Sequence, residues 1–468
     1  MSAEKTSFYH RLLTFLDRRL FHRIYADHVR KLVLQSIPFW IASVLTGLVA
    51  VGYERIFSWA ETICRHWIAY TPVRAFLITP LSFLAAWGCV YLLAPAARGS
   101  GIPQLMAAID LATPSRHQRI GYLLGLRVAF VKIVSSAVLL LGGGAIGREG
   151  PTIQIAGALF QVINRLQPKG WPQLSRKIAL ITGGAAGLAA AFNTPLGGIV
   201  FVVEELTQTH ITRFRTAIFT AVIIAGMTAQ AILGPYLYLG YPPVPATGWT
   251  FLGVAFMTAL ICGLAGALFG KLLLWLNSRR KRWSTLPQQV VWVTGCGLLM
   301  AILIYFAGDY AAGTGKPLIN HLLFRHPEPI PWYVFPARIA TMALSYSSGA
   351  AGGVFATSLS AGAVLGNLTA ELTHIAPKDL PVVVLVGMVS FLTGVVRSPF
   401  TAAILVLEMT DRHSAIFPLL LGGLTAQLVA TIVDPHSLYE HLKHNFFQEA
   451  LHAGKATEAP EKSTQHPG

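Results

Sequence analysis

The sequence predicts an all-α polytopic membrane protein built from two repeat halves of tilted and broken helices. Three observations carry that prediction. Hydrophobic residues make up 54% of the 468 residues and charged residues only 12%, where a soluble domain carries roughly 25% charged residues. Apolar runs recur along most of the chain, and a set of Gly- and Pro-rich breaks occurs twice in the same order.

The composition comes first because it removes most alternatives. Mean hydropathy is +0.56. That much apolar surface aggregates in water and is solvated in a bilayer, which excludes a soluble enzyme, a disordered chain and a disulfide scaffold. Only helices and closed barrels satisfy their backbone in hydrocarbon. The apolar runs here are continuous rather than alternating, so helices are expected. The formal net charge of +16 is read as positive-inside anchoring with both termini cytoplasmic, and also as attraction of anions into a pathway. The basic residues are scattered between apolar runs, so nucleic-acid binding is not expected. Cys64, Cys89, Cys262 and Cys296 have no paired spacing and read as small core residues.

Along the chain, residues 1–31 are basic and amphipathic and are expected to form a cytoplasmic helix lying on the membrane. Residues 32–239 and 250–445 are the two transmembrane halves. Residues 450–468 are polar and are expected to be a disordered tail, leaving no room for a folded C-terminal regulatory domain. Runs such as 74–97, 121–143, 250–277 and 415–433 reach the ~20 residues of a span. Runs such as 153–164 and 335–347 are too short. Transporters mix full and interrupted helices in this way and bind substrate at the interruptions.

The repeat is visible in the letters. Gly99-Ser100-Gly101-Ile102-Pro103 is echoed by Gly313-Thr314-Gly315-Lys316-Pro317, at an offset of 214. Gly144-Ala145-x-Gly147 is echoed by Gly349-Ala350-x-Gly352 (205), and Pro195, ahead of Glu204, by Pro399, ahead of Glu408 (204).

Acidic residues inside apolar or Gly-rich segments are few: Glu149, Glu204, Glu205 and Glu408. A charge at the centre of a bilayer helix costs ~2.5–3.5 kcal/mol on insertion scales, so each is a functional candidate. The repeat divides them. Glu204 pairs with Glu408, as inherited structural positions would, whereas Glu149 pairs with Val354 and Glu205 with Met409. The asymmetry favours Glu149 and Glu205 for a directional function. Glu149 lies in Gly147-Arg148-Glu149-Gly150-Pro151, which opens an apolar helix. The same grammar recurs at Gly99–Pro103 and at Gly352-Gly353-Val354-Phe355. Three such breaks present unpaired N–H groups and positive dipole ends to a small anion. Each is worth at most ~2 kcal/mol, weak enough for the anion to leave again.

These motifs, with the late Tyr439, resemble the signature set of the CLC chloride channels and chloride/proton antiporters, over roughly residues 30–445. The resemblance implies inverted repeat halves and a prokaryotic type without C-terminal regulatory domains. It implies that Ser100 and Tyr439 coordinate chloride with their hydroxyls and that the amides of Val354 and Phe355 complete the site. Glu149 would be the gating glutamate and Glu205 the internal proton relay. It further implies chloride/proton exchange, with a passive voltage- or pH-gated chloride channel as the alternative. The expected setting is a homodimer in a lipid bilayer, the bacterial inner membrane, with chloride and protons as transported ions and no cofactor or enzymatic activity. Ser100 favours chloride over other anions. Thr357 stands where the family's third motif usually has Pro, for which a small effect on the helix start is expected.

Three decoys are set aside. Gly142-x-Gly144-x-x-Gly147 has the letters of a dinucleotide fingerprint without its strand–turn–helix unit. Ser100 as a hydrolytic nucleophile would need a general base, and no histidine occupies an apolar span at suitable spacing. His436, His441 and His444 read as interfacial or structural residues, so no metal site is expected.

Overall fold

The computed structural model describes residues 27–168, 171–172, 175–206, 215–234, 237–244, 249–324 and 330–457. Among the described residues the chain is helical, apart from short loops and two isolated bridges. The first half runs through α1 (Asp27–Tyr70), α2 (Ala75–Leu93), α3 (Ile102–Asp110), α4 (Leu126–Leu141), α5 (Glu149–Leu166), α6 (Arg176–Phe192), α7 (Pro195–Phe201) and α8 (Arg215–Leu233). The second runs through α9 (Trp249–Arg282), α10 (Leu286–Ala307), α11 (Lys316–Phe324), α12 (Val334–Ser347), α13 (Phe355–Leu372), α14 (Leu380–Val396), α15 (Pro399–Thr410) and α16 (Ile416–Val433). A final helix, α17 (Leu438–Thr457), follows. Among the described residues, eight helical segments are long and apolar enough to cross a membrane.

The halves match helix for helix. α3 and α11 both have 9 residues, α5 and α13 both 18, and α6 and α14 both 17. α6 and α14 both end on a left-handed residue, Asn193 at φ 58° and Arg397 at φ 63°. A proline then opens α7 and α15. The inversion of one half relative to the other appears where these two helices meet. The Glu204 carboxylate, in the turn after α7, accepts from the N–H groups of Phe400 (3.1 Å) and Thr401 (2.7 Å) at the start of α15. Glu408, near the end of α15, accepts from Leu196 (3.0 Å) and Gly197 (2.7 Å) at the start of α7. Each helix end neutralises the dipole of the other's beginning, which requires the two to run antiparallel. Hydrogen bonds to a charged group contribute roughly 1.5–3 kcal/mol. Glu204→Ala and Glu408→Ala are therefore each expected to lower the thermal unfolding midpoint of the purified protein by similar amounts, with partial recovery in the Gln variants. Unequal losses would contradict the mirror relation.

Packing follows residue size. α14 is apolar on every side and buried along its length, as expected for a helix surrounded by helices. Gly362 and Gly366 of α13 let Gly387 of α14 approach backbone to backbone, the small-residue contact that stabilises helix pairs in lipid.

Two boundaries differ from the sequence reading, and one prediction lies mostly outside the described residues. The amphipathic helix expected at 1–31 falls largely on residues 1–26, which are not described; from Asp27 onward the chain is already part of α1, with no break at 31. The tail expected to be disordered from 450 begins inside α17, which continues to Thr457. Three contacts dock that helix: Arg98 on Glu449 (2.7 Å), Lys443 on Asp110 (3.0 Å) and Arg119 on the Leu451 carbonyl (2.8 Å). Residues 458–468 lie outside the described residues.

Candidate functional site

The Gly-rich breaks, far apart in sequence, are stitched to one another. Gly99 donates to the Ala350 carbonyl (2.9 Å) and accepts from Gly352 (3.1 Å), while Gly147 and Gly353 exchange both backbone bonds at 2.7 and 2.8 Å. Serines of one half hold the breaks of the other: Ser135 of α4 accepts from Ala351 (3.1 Å) and Ser345 of α12 from Ala145 (2.8 Å). The first turns of α3, α5 and α13 are thereby brought to one place.

The glycines are required by that convergence. Gly101 has φ +113°, and a Cβ there would sit 2.6 Å from the Gly150 carbonyl. A Cβ on Gly150 would collide with the Ser100 hydroxyl. From Gly353, the Gly147 carbonyl (3.2 Å), the Gly150 nitrogen and the Pro151 ring (both 3.3 Å) are within contact of where a Cβ would be. Side chains at these points would push the helix starts apart.

The side chains gathered there are all buried. Ser100 is 1% exposed, Glu149 0%, Val354 2%, Phe355 1% and Tyr439 1%. The Tyr439 phenol, from the first turn of α17, faces the Ser100 hydroxyl and lies within the fields of both Glu149 and Glu205. The Glu149 carboxylate lies against Gly147 and faces the N–H of Ala356 in the first turn of α13. The hydroxyls of Ser100 and Tyr439 and both carboxylate oxygens of Glu149 make no hydrogen bond to protein. A buried polar group left in that condition costs about 1–3 kcal/mol. Four of them in one place mark a point suited to a polar or charged guest. First-turn N–H groups, which have no partner within their own helix, give it positive surroundings. The structure thus brings Ser100, Glu149, Val354, Phe355 and Tyr439 together. Thr357, the departure from the motif, donates its hydroxyl to the Val354 carbonyl (3.1 Å) within the first turn of α13.

The equivalent break in the second half holds a carboxylate and borders a cavity of about 450 Å³ lined by Glu61, Gly313, Gly315 and Pro317. Glu61 of α1 accepts from the backbone (3.0 Å) and hydroxyl (2.7 Å) of Thr314, the counterpart of Ser100. The buried guanidinium of Arg338 donates to the carbonyls of Ala312 (2.9 Å) and Gly313 (2.8 Å) and to Ser360 (3.0 Å). A carboxylate of the protein already occupies this helix start.

Glu205 lies apart from the pocket, on the π-helical turn Val202–Leu206 that ends α7; its counterpart in the second half belongs to a regular α-helix. π-helical turns frequently occur at functional positions. Ser398 donates to Glu205 Oε2 at 2.6 Å, and Oε1 has no partner. A cavity of about 100 Å³ adjoins it, lined also by Asp110, Lys177, Glu204, Glu440 and Lys443.

Several cations that sequence reading does not single out lie around these sites. Lys132 of α4 is 0% exposed and its ammonium has no partner. Its signal in the sequence is a lone lysine within an apolar run. On one side, Arg98 and Arg280 line a small cleft with Gly99 and Tyr346. On the Glu149 side, Lys316 lies 4.3 Å from the centre of the Tyr238 ring, within the fields of Arg148 and Glu149.

Residues 81–431 match the family model described as voltage gated chloride channel. The chain is 31% identical over 480 aligned residues to the H(+)/Cl(-) exchange transporter ClcA of Salmonella gallinarum, covering 96% of this chain and 98% of the relative. Among solved structures it resembles a slow cyanobacterial Cl-/H+ antiporter at TM-score 0.74 and 24% identity, covering 89% of this chain and 98% of that one. It also resembles a CLC-type fluoride/proton antiporter at TM-score 0.68 and 20% identity, covering 88% and 98%. At those identities the structural likenesses speak for the fold.

Proposed function

Because this chain belongs to the voltage gated chloride channel family, the CLC proteins, we propose that it exchanges chloride for protons through the pocket where α3, α5, α13 and α17 meet. It is a multi-pass membrane transport protein and not an enzyme. The observation that carries the reading is the set of four buried, unpartnered oxygens among converging helix starts, two of which belong to a carboxylate. The hydroxyls of Ser100 and Tyr439 and the amides of Val354 and Phe355 hold chloride. They supply partial charges only, so the ion is bound without being trapped. Arg98 and Arg280 on one side, and Arg148 and Lys316 on the other, raise the local anion concentration.

Glu149 is the gate. Its carboxylate is an anion and competes for the place that chloride would take at the start of α13. Protonation cancels the charge and releases the side chain. One proton bound then corresponds to one position opened, which couples the two ions. Glu205 passes the proton between this point and the cavity at Asp110 and Glu440, away from the anion route. The protein works as a homodimer with one pathway per subunit, in a bacterial inner membrane, with both termini cytoplasmic. It needs no cofactor.

A passive chloride channel would have no use for Glu205, and this separates the two readings. In proteoliposomes holding the wild-type protein, an imposed chloride gradient is expected to drive protons uphill in the opposite direction. Chloride movement without any proton movement would favour the channel and overturn exchange.

A further inference from the structure

Beyond the transport pocket, the link between α16 and α17 gathers three metal-ligating side chains. One ligand atom from each of Asp434, His436 and His441 lies within 4.8 Å of the other two. We propose that Asp434, His436 and His441 form a binding site for a zinc-type divalent ion that pins the segment carrying Tyr439. The claim that pinning slows transport rests on the role of Tyr439 proposed above, whereas the site itself does not.

The donor set fits such an ion. Two imidazoles and a carboxylate, with a water in the fourth position, form a common tetrahedral zinc set. Metal–ligand bonds of about 2.0–2.2 Å in tetrahedral geometry place neighbouring donor atoms about 3.3–3.5 Å apart. His441 Nε2 and Asp434 Oδ2 are 3.3 Å apart. The carboxylate is already held in place: its Oδ1 accepts from the His436 backbone N–H at 2.9 Å, and both oxygens face His441 Nε2, at 3.4 and 3.3 Å. Backbone contacts fix the surroundings, with Arg397 donating to the Asp434 carbonyl at 3.3 Å and His441 N–H to the Ser437 carbonyl at 3.2 Å. Outer partners of this kind raise metal affinity by holding donors in place. His436 is exposed, so its ring can swing to close the remaining gap.

Sequence reading grouped His436 with His441 and His444 and found no metal site. The fold supplies Asp434 instead of His444, and a carboxylate turns a histidine cluster into a mixed donor set. Tyr439 lies between His436 and His441 in the chain, and Asp434 lies at the end of α16. A bound ion would join the two sides of this link and restrain the first turn of α17.

The test uses the full-length protein stripped with chelator and titrated with Zn²⁺ by calorimetry. One Zn²⁺ per chain is expected, with affinity about tenfold or more weaker in His436→Ala and in His441→Ala, and unchanged in His444→Ala. Anomalous diffraction at the zinc edge on wild-type crystals places the ion without relying on any variant. Zinc-bound wild type is expected to release chloride from proteoliposomes more slowly than the His436→Ala/His441→Ala double variant under the same Zn²⁺. Equal Zn²⁺ affinity in wild type and double variant, or an anomalous peak elsewhere only, overturns the site. Undiminished flux at saturating Zn²⁺ overturns the restraint on Tyr439.

Discussion

Glu149→Ala is expected to keep chloride flux while proton movement falls to the liposome background and the pH dependence of flux disappears. The side chain is wholly buried and neither carboxylate oxygen has a protein partner, so its removal breaks no hydrogen bond that the fold relies on. What disappears is a tethered anion facing the start of α13. The sign is fixed by charge. As pH falls the carboxylate takes up a proton and gives up its hold on the positive helix start, so wild-type flux rises toward acid and falls toward alkali. An alanine has nothing to titrate, and the profile becomes flat. Glu149→Gln, which keeps the shape without the charge, is expected to behave in the same way. Chloride efflux from proteoliposomes over the acid-to-neutral range, recorded alongside proton uptake, decides the matter. A variant that still pumps protons, or still follows the wild-type pH profile, would remove Glu149 from the gate.

Glu205→Ala gives a different signature, and the contrast tests the division of labour. Proton movement is again expected to fall to background, but chloride flux should keep its response to pH because Glu149 is intact. Glu205 is separate from the anion pocket, held by Ser398 through one oxygen while the other is unpartnered beside a cavity with Asp110, Glu440 and Lys443. Replacing it cuts the proton's route without touching the chloride ligands. Ser398→Ala should have a smaller effect, since it removes a donor and leaves the carboxylate. If both the glutamate variant and the wild type move protons at the same chloride gradient, the relay lies elsewhere.

Much of this arrangement was legible in the sequence because its determinants are local. Glycine and proline mark helix breaks wherever the chain has them, and the offsets between the two sets reveal the duplication directly. The asymmetry between Glu204 and Glu205 also survives into space: the first closes a reciprocal cap with Glu408 across the halves, and the second does not. Features settled by contacts between distant segments were not legible. Nothing local in the sequence marks α1 as continuing past its charged residues to Tyr70, because those charges find partners in the second half: Arg65 on Asp309 at 2.8 Å and Glu61 on Thr314. The tail from 450 reads as unstructured by composition, yet the Leu451 carbonyl docks on Arg119 and α17 continues to Thr457. Arg338 in its carbonyl cage and Asp434 beside two histidines are similar cases: each is ordinary by composition and acquires meaning from residues that only the fold brings near.

A chain that repeats its own architecture upside down ought to look the same from either side of the bilayer. Glu61 spoils that equivalence. By seating a carboxylate on Thr314 just ahead of α11, it gives the second half an acid where the first half has only the Ser100 hydroxyl. The molecule therefore has a top and a bottom, and turning it over would exchange an alcohol for a charged cap.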